Sequence, residues 1–153
     1  MAAGVIKKIM VAADVTKRSK SARTILADLL EQLQAELVVV NIIDTTELQK
    51  AHLVTDGVHS YPLDKFVEIQ TEKRAELLKE GLLKEINIGP ERSKVIIDSG
   101  HPVEGILKHI ESEKADLLVL GTKWGKISDV LLGSTAEAMV RKSTIPVLCL
   151  PLA

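Results

Sequence analysis

The residues best suited to chemistry are a few glycines and hydroxyls and one carboxylate. Gly121, Thr122 and Gly125 open a turn that closes on Gly133, Ser134 and Thr135, where a helix begins. Glycines let main chain approach a phosphate closely, and the free N–H groups of a helix start favour an anion. Ser134 and Glu137 also spell an S-x-x-E capping box, in which the Ser134 hydroxyl would bond the N–H groups that a phosphate would use. Taken alone, the pair reads first as a cap, and both uses stay open at this level. Asp14 ends the first apolar run. It could accept a hydrogen bond from a ribose hydroxyl or an adenine amino group, or simply turn the chain toward the first helix.

The other constellations carry less. Gly121 to Lys126 looks superficially like a phosphate-binding P-loop, but it has three spacer residues where four are needed, and Ile127 stands where Ser or Thr should. His52 and His59 lack a third ligand, so they read as solvated loop residues. His101 and His109 flank or ride a helix. The run from Glu68 to Lys84, which includes Arg74, reads as a solvated helix face with i,i+4 pairing. Cys149, the lone cysteine, excludes an internal disulfide, and its apolar setting reads as a buried, inert strand thiol. No general base, nucleophile or acidic metal cluster surrounds the Gly121 to Ser134 turn, so fast phosphoryl transfer has little support and no catalytic or metal residues are expected.

Five apolar runs must position these groups: Ile9 to Ala13, Leu37 to Ile43, Val95 to Ile97, Leu117 to Leu120 and Val147 to Leu150. They are short and do not alternate with polar residues, as expected of parallel strands covered on both faces. Helical periods separate them. Ala22, Ile25, Leu26, Leu29, Leu30 and Leu33 form one stripe, and Val103, Ile106, Leu107 and Ile110 form another. Leu78, Leu82 and Ile86 mark a longer helix ending near Gly89-Pro90, and a last helix follows Ser134. Strict alternation with right-handed crossovers predicts a single α/β domain over 1–153 with an open, doubly wound sheet. Such sheets bind ligands beyond the carboxyl ends of their strands, where Asp14 and Gly121 fall. Asp44 to Pro62 is the one long connection.

Composition narrows the partners. The 153 residues carry 20 Lys plus Arg against 21 Asp plus Glu, a net charge of −1, so no footprint for nucleic acid or an anionic membrane is visible. Only Tyr61, Phe66 and Trp124 are aromatic, which argues against a stacking platform for bases. No segment approaches the roughly 20 apolar residues of a membrane span, and the first residues lack a signal peptide's apolar core, so the expected location is cytoplasmic.

Over nearly the whole chain the residues resemble the universal stress proteins. The matching pieces are Ile9-Met10-Val11-Ala12-Ala13-Asp14, Gly100-His101-Pro102 and Ala115-Asp116-Leu117-Leu118-Val119-Leu120-Gly121-Thr122. Leu131-Leu132-Gly133-Ser134-Thr135-Ala136-Glu137 and Ile145-Pro146-Val147-Leu148 complete them. The resemblance implies a Rossmann-like open parallel five-stranded sheet, strand order 3-2-1-4-5, with helices on both faces. It also implies a homodimer paired through the C-terminal edge strand, which would cover an edge that otherwise invites aggregation. In the ATP-binding branch of the family, G-x2-G-x9-G-[ST] surrounds the phosphates and an Asp after the first strand lies near the adenosine. Carried over, the pattern implies a site for ATP with Mg at Ala12, Asp14, the backbone near Val40, Gly121, Thr122, Gly133, Ser134 and Thr135. One departure stands out. The pattern's second glycine falls at Trp124, Gly125 comes one place later, and eleven residues rather than twelve separate Gly121 from Gly133. Either Gly125 takes over, or Trp124 fills the phosphate space in a member of the family that binds no nucleotide and acts through protein contacts.

Overall fold

The Val-, Ile- and Leu-rich runs pair as parallel strands in the computed structural model, which describes residues 5–13, 20–46, 63–122 and 133–151. The strands are β1 (Lys8–Ala12), β2 (Glu36–Asp44), β3 (Ser93–Gly100), β4 (Leu117–Thr122) and β5 (Val147–Pro151), in the order β3-β2-β1-β4-β5. The helices are α1 (Lys20–Leu33), α2 (Leu63–Leu78), α3 (Pro102–Glu113) and α4 (Ser134–Lys142). The expected order is therefore observed. β3 is longer than its apolar run because Lys94 and Asp98 continue the ladder along β2, as far as the pair Asp44 and Gly100.

Both faces of the sheet are covered, which is why its strands are apolar throughout. On one face Ile9, Leu37, Val39, Leu117 and Val119 meet Ala22, Leu26 and Leu30 of α1, together with Leu78 and Ile86. On the other, Met10, Val38, Val40, Leu118 and Leu120 meet Val103, Ile106 and Ile110 of α3 and Ala136 and Met139 of α4. The stripe on α1 is broader than its footprint. Ile25 on its rim and Leu33 at its last position remain 42% and 39% exposed. Cys149 is half-buried rather than buried, because β5 is the outermost strand and pairs only with β4 among the described residues.

The helix ends were harder to read from the sequence. After Leu78 the helix widens into a π turn over Lys79–Leu83 and stops before Asn87, short of Gly89-Pro90. Gln34, Asn87 and Lys114 all adopt left-handed backbone, with φ of 50°, 56° and 55°. In each case the next N–H bonds back across the turn, from Ala35 to Leu30, Ile88 to Leu83 and Ala115 to Ile110, at 3.2, 3.2 and 3.1 Å. Glycine is the usual signal for this termination, and here it is absent. It does appear where β3 hands over to α3: Gly100 has φ +133°, a value side chains rarely adopt, and Pro102 then opens the helix.

Candidate functional site

β1 stops early, and its neighbours do not. Its last pairings are Ala12 with Val40 on β2 and Ala12 with Leu120 on β4. β2 continues to Asp44 against β3, and β4 continues through Gly121 and Thr122 against Leu150 and Pro151 of β5. The sheet therefore has a notch over the carboxyl end of β1. This is also where the winding reverses, since β2 and β3 lie on one side of β1 and β4 and β5 on the other. The ladder thus ends first over β1, at the winding reversal itself.

Ala12, Val40 and Gly121 border this notch. The Val40 carbonyl accepts the Ala13 N–H at 3.0 Å, so the backbone near Val40 closes the ladder at the notch's floor. Gly133, Ser134 and Thr135 come at the start of α4, whose amino end lies at the carboxyl end of the sheet because α4 returns from β4 to β5. Asp14, Gly125 and Trp124 lie outside the described residues, as do His52 and His59.

The capping box does not form. The capping residue is Gly133, Ser134 already belongs to the helix, and no side chain caps its start. Glu137 instead accepts a 2.9 Å bond from Arg141 one turn on. The reason is a one-residue offset: with Ser134 inside the first turn, its hydroxyl is no longer placed to reach back to the N–H groups. The first N–H groups of α4 are thus left without a side-chain cap, beside an exposed Ser134. Gly133 has φ −56° and ψ 155°, a conformation open to any residue. Its lack of a side chain is consequently of use for space and not for backbone freedom.

The family model described as the universal stress protein family matches residues 6–151. The chain belongs to the universal stress protein family. Universal stress protein MJ0577 of Methanocaldococcus jannaschii is 33% identical over 122 residues, covering 74% of this chain and 75% of that protein. Universal stress protein A homolog 1 of Coxiella burnetii is 29% identical over 147 residues, covering 93% and 94%. The solved structure of MJ0577 superposes with a TM-score of 0.69 at 25% identity, covering 97% of each chain. A universal stress protein solved in complex with cAMP shares the fold with a TM-score of 0.56 at 18% identity, covering 97% of this chain and 98% of that one.

The structure also brings forward residues that the sequence reading had set aside. Asn41 of β2 is the one buried polar side chain among the described residues, 7% exposed. Its amide donates to the Ala13 carbonyl at 2.5 Å and accepts from the Arg74 guanidinium at 2.9 Å. Arg74 is thus not simply part of a solvated face, and a polar residue inside Val38-Val39-Val40-Asn41-Ile42-Ile43 was the signal that could have found the pair. His109 of α3 meets Asp98 of β3 at 2.8 Å, with Lys108 3.6 Å from the same carboxylate. Burial alone would raise the Asp98 carboxyl, but the His109 contact, the Ser99 N–H and the Lys108 charge together hold it below its ordinary value. Glu113 is likewise lowered, first by its hydrogen bond from Lys94. Both carboxylates tie α3 to the sheet. Among the described residues no group of three or more His, Cys, Asp or Glu could hold a metal, and no helix is long and apolar enough to cross a membrane.

Proposed function

We propose that this universal stress protein binds ATP, with Mg, in the notch over β1 and acts as a nucleotide-responsive sensor or slow switch. The observation that carries the reading is the bare start of α4: uncapped N–H groups, a glycine whose conformation does not require glycine, and an exposed hydroxyl. Such an end carries about half a positive charge and suits a phosphate. A protein of this fold in complex with cAMP supports a phosphate-bearing adenine ligand as the class. Ala12, Val40 and Gly121 would border the nucleotide, Gly133, Ser134 and Thr135 would receive the phosphates, and Asp14, Thr122 and Gly125 would complete the site. The competing reading, protein contacts without nucleotide, is favoured by Trp124 in the place suited to glycine.

One experiment separates the two. The purified protein is denatured, its supernatant is chromatographed for adenine nucleotide, and thermal scans are run with and without MgATP. Ligand at 100 times its dissociation constant should stabilise a one-site binder by about 2.7 kcal/mol. The absence of both released nucleotide and a thermal shift would overturn the ATP reading. The place of β5 as the last strand of the sheet, paired with β4 among the described residues, further supports a homodimer formed by strand pairing between two copies. Sedimentation at micromolar concentration should then show a dimer, and a monomer alone would remove that assembly.

A further inference from the structure

We propose that Asn41 and Arg74 form a positioning pair for the notch, holding the main chain where it leaves β1 and so setting the adenosine end of the site. The assignment to a nucleotide rests on the function proposed above, while the positioning itself does not.

The hydrogen-bond chemistry of the pair leaves one arrangement. A guanidinium can only donate, so the Asn41 Oδ1 must face Arg74 and Nδ2 must face the Ala13 carbonyl. Arg74 is itself steadied by Gln70, whose Oε1 accepts from its Nε at 3.5 Å. The bond to Ala13 takes the place of a ladder bond. In the β1–β2 ladder Ala13 donates to the Val40 carbonyl at 3.0 Å, and the next donor, to the Ala13 carbonyl, would be the Ile42 main chain. Instead a side-chain amide supplies it, just after β1 has ended.

Packing alone does not call for this residue. Positions 39 and 43 of the same strand are filled by Val and Ile, both almost wholly buried, and an aliphatic side chain at 41 would serve a core equally well. It could not hold a carbonyl. Asn41 fixes the Ala13 carbonyl, one residue before Asp14, the carboxylate expected near the adenosine. Arg74 extends that control to α2, because the ion and the amide must move together or lose a charge-assisted bond.

Three variants test the pair. Asn41→Asp keeps a partner for Arg74 but cannot donate to Ala13 at neutral pH, Arg74→Met keeps the apolar stem without donors, and Arg74→Lys keeps one donor. Amide hydrogen exchange is measured on ligand-free protein, and MgATP affinity is measured by calorimetry. Asn41→Asp and Arg74→Met should speed exchange at Ala13 by about tenfold or more while β4 amides are unchanged. Both should weaken MgATP by about tenfold. Arg74→Lys should stay near the parent in both measurements, whereas a role in packing alone would leave Arg74→Met near the parent as well. Unchanged exchange at Ala13 in Arg74→Met overturns the proposal whatever the nucleotide result, as does faster exchange with undiminished affinity. Faster exchange in a protein that binds no MgATP leaves the positioning intact and overturns the nucleotide reading instead.

Discussion

The two ends of the sheet are built on opposite principles. At the amino ends of the strands, charged side chains are spent on main-chain groups. Asp116 accepts the Lys7 and Lys8 N–H groups, both at 2.9 Å, while its own N–H donates to the Lys8 carbonyl at 2.8 Å. Arg92 donates to the carbonyls of Leu30 and Ala35 at 3.1 and 3.0 Å, closing the end of α1. Lys8 donates to the Glu113 carbonyl at 2.9 Å. At the carboxyl ends, the strands stop at unequal positions, and α3 and α4 both begin without a side-chain cap. Asn41, Asp44 and Asp98 hold main-chain groups at the carboxyl ends too, so the difference lies in the two helix starts there that no side chain caps. A protein that only needed to fold would have reason to treat the two ends alike, since each capped helix start stabilises by about 1 kcal/mol.

The contrast can be broken from either side. Gly133→Val should abolish MgATP binding, raising its dissociation constant at least about 100-fold, because a branched side chain would stand where the phosphate approaches. The backbone at 133 already suits valine, so the cost to stability should be about 1 kcal/mol, that of a poorer capping residue. Asp116→Ala should cost a similar amount, about 1 kcal/mol, by removing the acceptor of two N–H groups, while leaving nucleotide affinity unchanged. Calorimetric titration and urea melts read both, and weaker nucleotide binding in Asp116→Ala would show that the two ends are not separable.

A smaller effect tests whether Asp98, in the carboxyl half of β3, is structural like its counterparts at the amino end. Its carboxyl lies below the ordinary 3.8, so its contribution is present above that pH and is lost as pH falls through the lowered value. Asp98→Asn should therefore be less stable than the parent at neutral pH, with the gap closing as pH falls below the ordinary 3.8 and through the lowered value. A gap that stays constant would mean the charge is not what matters there.

Much of this architecture was readable before the coordinates. Short Val-, Ile- and Leu-rich runs that alternate with helical periods read as strands covered on both faces, and their alternation predicts the doubly wound sheet whose winding reverses at β1. What escaped reading lay where a residue's neighbours are distant in sequence or where one position shifts a role. Ser134 looked like a cap and is a first-turn residue. Arg74 sat among charges of the same helix and reaches 33 positions back to Asn41. Gln34, Asn87 and Lys114 end helices in a conformation whose usual marker is glycine, so tertiary packing and the strand that follows set those boundaries. The unequal lengths of β1, β2 and β4 were invisible as well, because an apolar run shows where a strand can extend and not where its partner gives out.

That inequality has a consequence for how this site can change over generations. The floor of the notch is main chain, made by one strand ending before its neighbours, and no single side-chain replacement lengthens β1. Sequence drift can rewrite most residues, down to a third identity or less with MJ0577, and leave the fold standing. On the proposed function, a few rim positions would then decide whether the scaffold reads a nucleotide, with the strand order beneath unchanged.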